Sequence, residues 1–176
     1  MFLEFYNLFI GTLALVLHVV AVLGILGLIF LNKKSEIVNF IGKKYQWIVL
    51  VFGWAAIFGS LTYSEYIGFT PCKLCWIQRI FLYPTAIMAL IALISKEKIK
   101  PKYYLGLAVP GLLVSIYHTF SQLTGAEMEC GEIGQSASCG DVWVKMYGYI
   151  TIPAMAATCG IMIILANLYR IKQMKK

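Results

Sequence analysis

Five cysteines are the residues of this 176-residue chain that packing alone explains least. Cys72 and Cys75 form a Cys-Lys-Leu-Cys pair directly after Pro71, Cys130 and Cys139 stand in a stretch rich in Gly, Ser and acid, and Cys159 is alone in an apolar run. A CxxC pair that opens a helix occupies its first turn, where residues three apart share a face. Unpaired amides and the positive helix end stabilise a thiolate there, making the pair a better redox couple than isolated thiols. This is the thioredoxin-like arrangement, and the chemistry it offers is thiol-disulfide exchange.

Arg79 follows Cys75 by one helical turn on the same face, about 6 Å deeper by the rise per residue. Its charge falls within a predicted membrane helix, where ionisable side chains are costly and a role is the default reading. Snorkelling to the headgroups is the alternative. His118 falls at a similar depth on another helix, so the two could meet; ligand and hydrogen-bonded packing roles stand even for it. The segment around Cys130 and Cys139, about 25 residues, is too long for an ordinary helical connection. A permanent staple and a reactive ring both remain open for that pair. Cys159 is read as packing, with Pro153 kinking its helix near the outer third.

These residues need a scaffold, and the composition says which. Hydrophobic residues make up 60% of the chain and charged ones 13%, against about a quarter charged in soluble proteins. Helices are predicted at about 5–31, 46–64, 76–95, 103–121 and 147–169, each long enough to cross a hydrocarbon core of roughly 30 Å. The expected fold is an all-α membrane protein: a four-helix transmembrane bundle with one extra N-terminal transmembrane helix. The chain divides into 1–45 (the additional helix and an amphipathic connection), 46–170 (the four-helix redox domain) and 171–176 (a basic tail). Ile37, Val38, Phe40 and Ile41 share a face among lysines, so residues 32–44 are expected to form a short helix lying on the membrane surface. The first segment is expected to be retained as a helix, not cleaved as a signal peptide: its leader has Glu4 and no basic residue, and its apolar run is too long for an h-region.

The net charge of +7 reports topology, not nucleic-acid binding. Lys33, Lys34, Lys43 and Lys44 fall in the first connection, Lys96, Lys98, Lys100 and Lys102 in the third, and Arg170, Lys172, Lys175 and Lys176 at the end. The second connection carries Glu65 and the fourth carries Glu127, Glu129, Glu132 and Asp141. By the positive-inside rule the N-terminus is outside and the C-terminus cytoplasmic. Both cysteine pairs then lie on the extracytoplasmic side, where disulfides persist.

PCKLCWIQR at 71–79, YHTFSQ at 117–122, the loop pair Cys130 and Cys139, and GYITIP at 148–153 occur in that order. Over residues 46–170 the chain resembles the DsbB family of membrane disulfide-bond formation proteins, especially its BdbC-type branch. The resemblance implies a protein-dithiol:quinone oxidoreductase of the bacterial inner membrane. It would reoxidise a DsbA-like thioredoxin-fold protein on the outer side and pass the electrons to ubiquinone or menaquinone. It also implies that Cys75 faces the quinone, that Cys72 can pair across with Cys139, and that Cys130 is attacked by the partner's thiolate. Arg79 would polarise a quinone carbonyl, His118 help hold the quinone, and Gln78 shape the pocket, with an exposed packing role for Gln78 equally open. The family core has four helices, so the first segment is a departure from it.

Three other readings compete. Vitamin K epoxide reductase-like enzymes share quinone and cysteines but place the loop cysteines before the CxxC pair. A non-enzymatic zinc-binding or assembly protein would use the four outer cysteines as ligands, but no His accompanies the loop pair. Two static disulfides without turnover would leave Arg79 beside Cys75 unexplained.

Overall fold

The computed structural model describes residues 2–125 and 138–174. Among them, five helices are long and apolar enough to cross a membrane. They are α1 (Phe2–Phe30), α2 (Glu36–Leu61), α3 (Lys73–Ile94), α4 (Pro101–Thr124) and α5 (Ile152–Met174). This is an all-α membrane bundle. α2 packs on α3 and α5, and α4 packs on the same two, closing a four-helix ring. α1 stands outside the ring against α5.

The ring is held by small residues that let backbones approach, the usual device where lipid removes the hydrophobic drive between helices. At Gly53 of α2 an added Cβ would lie 2.8 Å from Ala86 Cβ and 2.9 Å from its Cα. Tyr45, Val49, Leu82, Ala89, Tyr104, Ala108, Ile163 and Ala166 fill the core. Val51, Ile80 and Leu113 point outward and are exposed, as lipid-facing positions require.

Two boundaries differ from the sequence expectation. No surface helix forms at 32–44; residues 36–44 are the first turns of α2. Nothing between 36 and 61 breaks a helix. Val38 is buried, and Gln173 near the end of α5 donates to Asn39 O and Oδ1, both at 3.2 Å, close to Gly42. This packing against α5 holds the segment in line with α2. α5 starts at Ile152, not near 147, because Tyr147 and Gly148 adopt left-handed backbone and Met146 pairs with Ile150 in a tight turn. Pro153 therefore lies in the first turn, where its missing N–H costs nothing, and does not kink the outer third of the helix.

The helix ends set the site. α2 does not stop at Leu61 but widens into a π-helical turn over Thr62–Tyr66. Such turns re-aim side chains and recur at functional positions. At the opposite end of the bundle, Tyr45 donates to Ile99 O at 2.5 Å and Gln46 to Glu97 O at 3.1 Å, fastening the α3–α4 connection to α2. The start of α1 lies at the π-turn end: Tyr63 donates to Asn7 Oδ1 at 2.9 Å, and the Tyr6 and Tyr63 rings meet edge to face.

Candidate functional site

Pro71 and the extended backbone at Cys72 end the loop and begin α3. Cys72 is the N-cap, and its sulfur accepts the Cys75 backbone N–H at 3.4 Å. The sequence-predicted first-turn placement is met, with sulfur in the role that Ser or Asp oxygen usually plays at this position. Both thiols are free, with sulfurs 3.1 Å apart. Cys72 is buried and Cys75 half-buried. Hydrogen bonding from Cys75 and, beyond it, from the His118 ring outweighs the burial that opposes ionisation, and holds the Cys72 thiol well below the usual thiol range. Cys72 is thus the sulfur poised as thiolate.

His118 is 1% exposed and links the two cysteine segments. The Gln78 amide lies 3.1 Å from its Nδ1. With Gln78 donating there, the proton sits on Nε2, which is 3.0 Å from Cys139 O and 3.6 Å from Cys72 Sγ. The buried Gln78 therefore orients the imidazole, and the exposed packing role is excluded. His118 and Arg79 do not bond to each other, although both line one cavity. α4 carries His118 closer to Cys72 than its depth suggested.

Arg79, 8% exposed, is held by the end of α2. Its Nε donates to Ser60 Oγ at 3.0 Å, and one terminal nitrogen donates to Ser64 Oγ at 2.8 Å and to Ser60 O at 3.5 Å. The guanidinium also stacks on Trp76, 4.8 Å from the ring centre, a favourable cation–π geometry. Ser64 belongs to the π-turn, so that irregularity completes the arginine's shell. Neither serine was singled out in the sequence; nothing in their spacing says which helix they face.

Cys139 is fully buried and disulfide-bonded, so in this structure it is not paired with the free Cys72. Cys130 lies outside the described residues. Gln122 fastens the Cys139 segment to α4 by donating to Asp141 O at 2.8 Å. Trp143 stacks on Phe69, with centroids 4.8 Å apart, and Phe69 on Tyr63, roofing the site with aromatic rings.

Two cavities meet at the CxxC pair. The smaller, about 50 Å³, is lined by Cys72, Cys75, Arg79, His118, Ser138 and Asp141. The larger, about 440 Å³, lies between α1, α2, α3 and α5 and is mostly apolar, with Cys75, Gln78 and Arg79 in its wall. Its volume falls in the range of small-molecule sites. Cys75 lines both; Cys72 lines only the smaller. Cys159, expected as packing, is in the wall of the larger. The ligand atoms of Cys72, Cys75 and His118 also lie within 4.8 Å of one another, so a histidine does accompany the CxxC pair.

A buried dithiol capping a helix, beside a second disulfide segment and inside a ring of spanning helices, defines a multi-pass membrane thiol-disulfide protein. Residues 43–169 match the family described as disulfide bond formation protein DsbB, and the chain belongs to that family. It is 37% identical over 134 residues to the SPbeta prophage-derived disulfide bond formation protein B of Bacillus subtilis (strain 168), covering 76% of this chain and 90% of that one. A probable disulfide formation protein of Oceanobacillus iheyensis is 34% identical over 144 residues, covering 81% and 94%. Disulfide bond formation protein C of Bacillus subtilis (strain 168) is 34% identical over 120 residues, covering 68% and 85%. No solved structure matches.

Proposed function

We propose that this chain generates disulfides in the bacterial inner membrane. It takes electrons from an extracytoplasmic thioredoxin-fold dithiol protein of DsbA type and delivers them to a membrane quinone. The observation that carries the reading is Cys75 between two chambers, a small one shared with Cys72 and the Cys139 segment, and a large, mostly apolar one, with Arg79 in the wall of both. An acceptor with a polar head and a lipid-soluble body fits the second: a buried cation and a sulfur at one end, apolar walls elsewhere.

In this reading the partner's thiolate attacks Cys130, and the Cys72–Cys75 pair restores the loop disulfide by exchange, with Cys72 and Cys139 as the crossing point. His118, bonded to Cys139 O and near Cys72 Sγ, holds the two segments in register. Quinone supplies a two-electron, two-proton sink, so one partner dithiol becomes one disulfide as one quinone becomes hydroquinone. Arg79 donates to a quinone oxygen where negative charge develops, a charge-assisted bond of about 1.5–3 kcal/mol. The apolar walls exclude water, strengthening that interaction.

The test is quinone reduction by purified protein in lipid nanodiscs with a reduced thioredoxin-fold donor. The wild type is expected to form one disulfide per quinone consumed and Cys75→Ser to form none. Undiminished quinone reduction by Cys75→Ser would overturn the reading. A second reading, zinc binding without turnover, has the Cys72, Cys75 and His118 cluster in its favour. It requires stoichiometric zinc in purified protein together with no dithiol oxidation.

A further inference from the structure

The ring of α2 to α5 accounts for the cysteines, Arg79, His118 and Gln78, but it does not enclose the larger cavity. The missing wall is α1. Tyr6, Ile10, Leu13, Ala14 and Leu17 line the void; at steps of three and four they form one helical face. Phe9 and Val16, which do not line the void, are exposed. α1 is held in this position along its length. Thr12 bonds Tyr147 at 2.8 Å, His18 bonds Thr158 at 2.8 Å and Tyr149 at 3.0 Å, and Tyr169 donates to Gly24 O at 2.8 Å. All these bonds go to α5 or to the turn before it, and α1 stands off from α2 across the cavity.

A void of this size forfeits dispersion contacts on every wall, so in a membrane it is occupied. A lipid chain would suit the apolar part alone. Tyr83 argues for more: its hydroxyl is buried without a hydrogen-bond partner, and the residue lines this cavity. Buried polar groups are nearly always satisfied, so an orphan hydroxyl beside a cavity points to a ligand acceptor. Tyr83 follows Arg79 by one turn, about 6 Å along α3, comparable to the separation of two carbonyl oxygens across a six-membered ring.

We propose that α1 is part of the acceptor site. The quinone ring lies between Arg79 and Tyr83, and its isoprenoid tail runs between α1 and α2 past Cys159 of α5. The proposal rests on the quinone reading above and adds to it the segment that lies outside the four-helix ring. It makes α1 a determinant of tail recognition, and it gives Tyr83 a positioning role by hydrogen bonding to the second carbonyl.

The experiment uses the full chain in nanodiscs and reads Cys159 by a membrane-permeant maleimide, with labelling assigned peptide by peptide. A ubiquinone with a long isoprenoid tail is expected to slow Cys159 labelling, whereas decylbenzene, a tailed ring with no carbonyl, is expected to leave it unchanged. Ala14→Phe, which fills the α1 wall, is expected to weaken protection by the long-tailed quinone about tenfold while affecting a one-isoprene quinone less. Phe9→Ala, on the exposed face of the same helix, is expected to behave as wild type. Equal labelling with and without quinone in a protein that turns quinone over, or equal protection by decylbenzene, overturns the proposal and leaves the quinone reading intact. A wild type that reduces no quinone removes both.

Discussion

The two chambers at the CxxC pair are built by opposite means. The smaller is bordered by side chains whose hydrogen bonds are largely made within the protein; His118 in its wall is bonded to Gln78 and to Cys139 O and lies beside Cys72. The larger is mostly apolar, and Cys75, Arg79 and Tyr83 stand on one stripe of α3 in its wall. The first chamber is completed by the protein itself; the second is left for something the protein does not supply. One dithiol can therefore serve two chemically unlike partners, because each sulfur meets a different environment.

The largest effect expected on that contrast is loss of turnover in Cys75→Ser, since of the two free thiols only Cys75 lines both chambers. Cys72→Ser should also stop net transfer from the partner, but should leave quinone binding intact in a Cys159-protection assay. Arg79→Ala acts mainly on the second chamber, although Arg79 borders both. It is expected to raise the quinone KM by about ten- to a hundredfold, from a lost charge-assisted bond of about 1.5–3 kcal/mol, and to slow the first exchange with the partner far less in single-turnover kinetics. Equal slowing of both half-reactions would erase the division between chambers.

His118→Ala acts on the first. The Cys72 thiol is held low, so in reduced protein its alkylation should stay fast as pH falls through neutrality and slow only in acid. His118→Ala should move that inflection upward. The sign for stability follows: a depressed acid pKa contributes fully above the unfolded thiol value of about 8.5 and is lost as pH falls toward the folded value. Reduced protein should therefore gain stability as pH rises through the neutral range, and His118→Ala should flatten that gain in thermal melts. Smallest in its effect on chemistry is Gly53→Val, whose new methyl groups would press on the Ala86 backbone. It is expected to cost about 1–3 kcal/mol of stability, lowering the melting temperature in detergent with the quinone KM near wild type.

Much of this was legible in the sequence. The five spans follow from hydropathy, and the motif order points to the family. The position of Cys72 at a helix start followed from Pro71 and the apolar run after Cys75. What could not be read was lateral: which faces meet across helices. The depth of His118 is legible and allows it to meet Arg79, with which it shares a cavity, but its bonds to Gln78 and Cys139 O are not, because depth fixes height along the bundle axis and leaves rotation free. Ser60 and Ser64 were invisible for the same reason, as the π-turn that presents Ser64 has no composition signal. The continuous α2 was missed because an amphipathic, lysine-flanked stretch reads the same whether it lies on a membrane surface or packs on the end of α5. Pro153 was taken for a kink because the left-handed backbone at Tyr147 and Gly148 that delays α5 shows only in the fold.

The connection between α3 and α4 is pinned at both Glu97 O and Ile99 O by side chains of α2. That pinning acts as the fixed base of a tuning fork. Three helices are tied together at the floor, while the opposite end of α3 carries Cys72 and Cys75 and the segment after α4 carries Cys139. Those bonds lie at the end of the bundle away from the CxxC pair, so an exchange of disulfides leaves the floor as it is and any rearrangement is confined to the end roofed by the stacked rings.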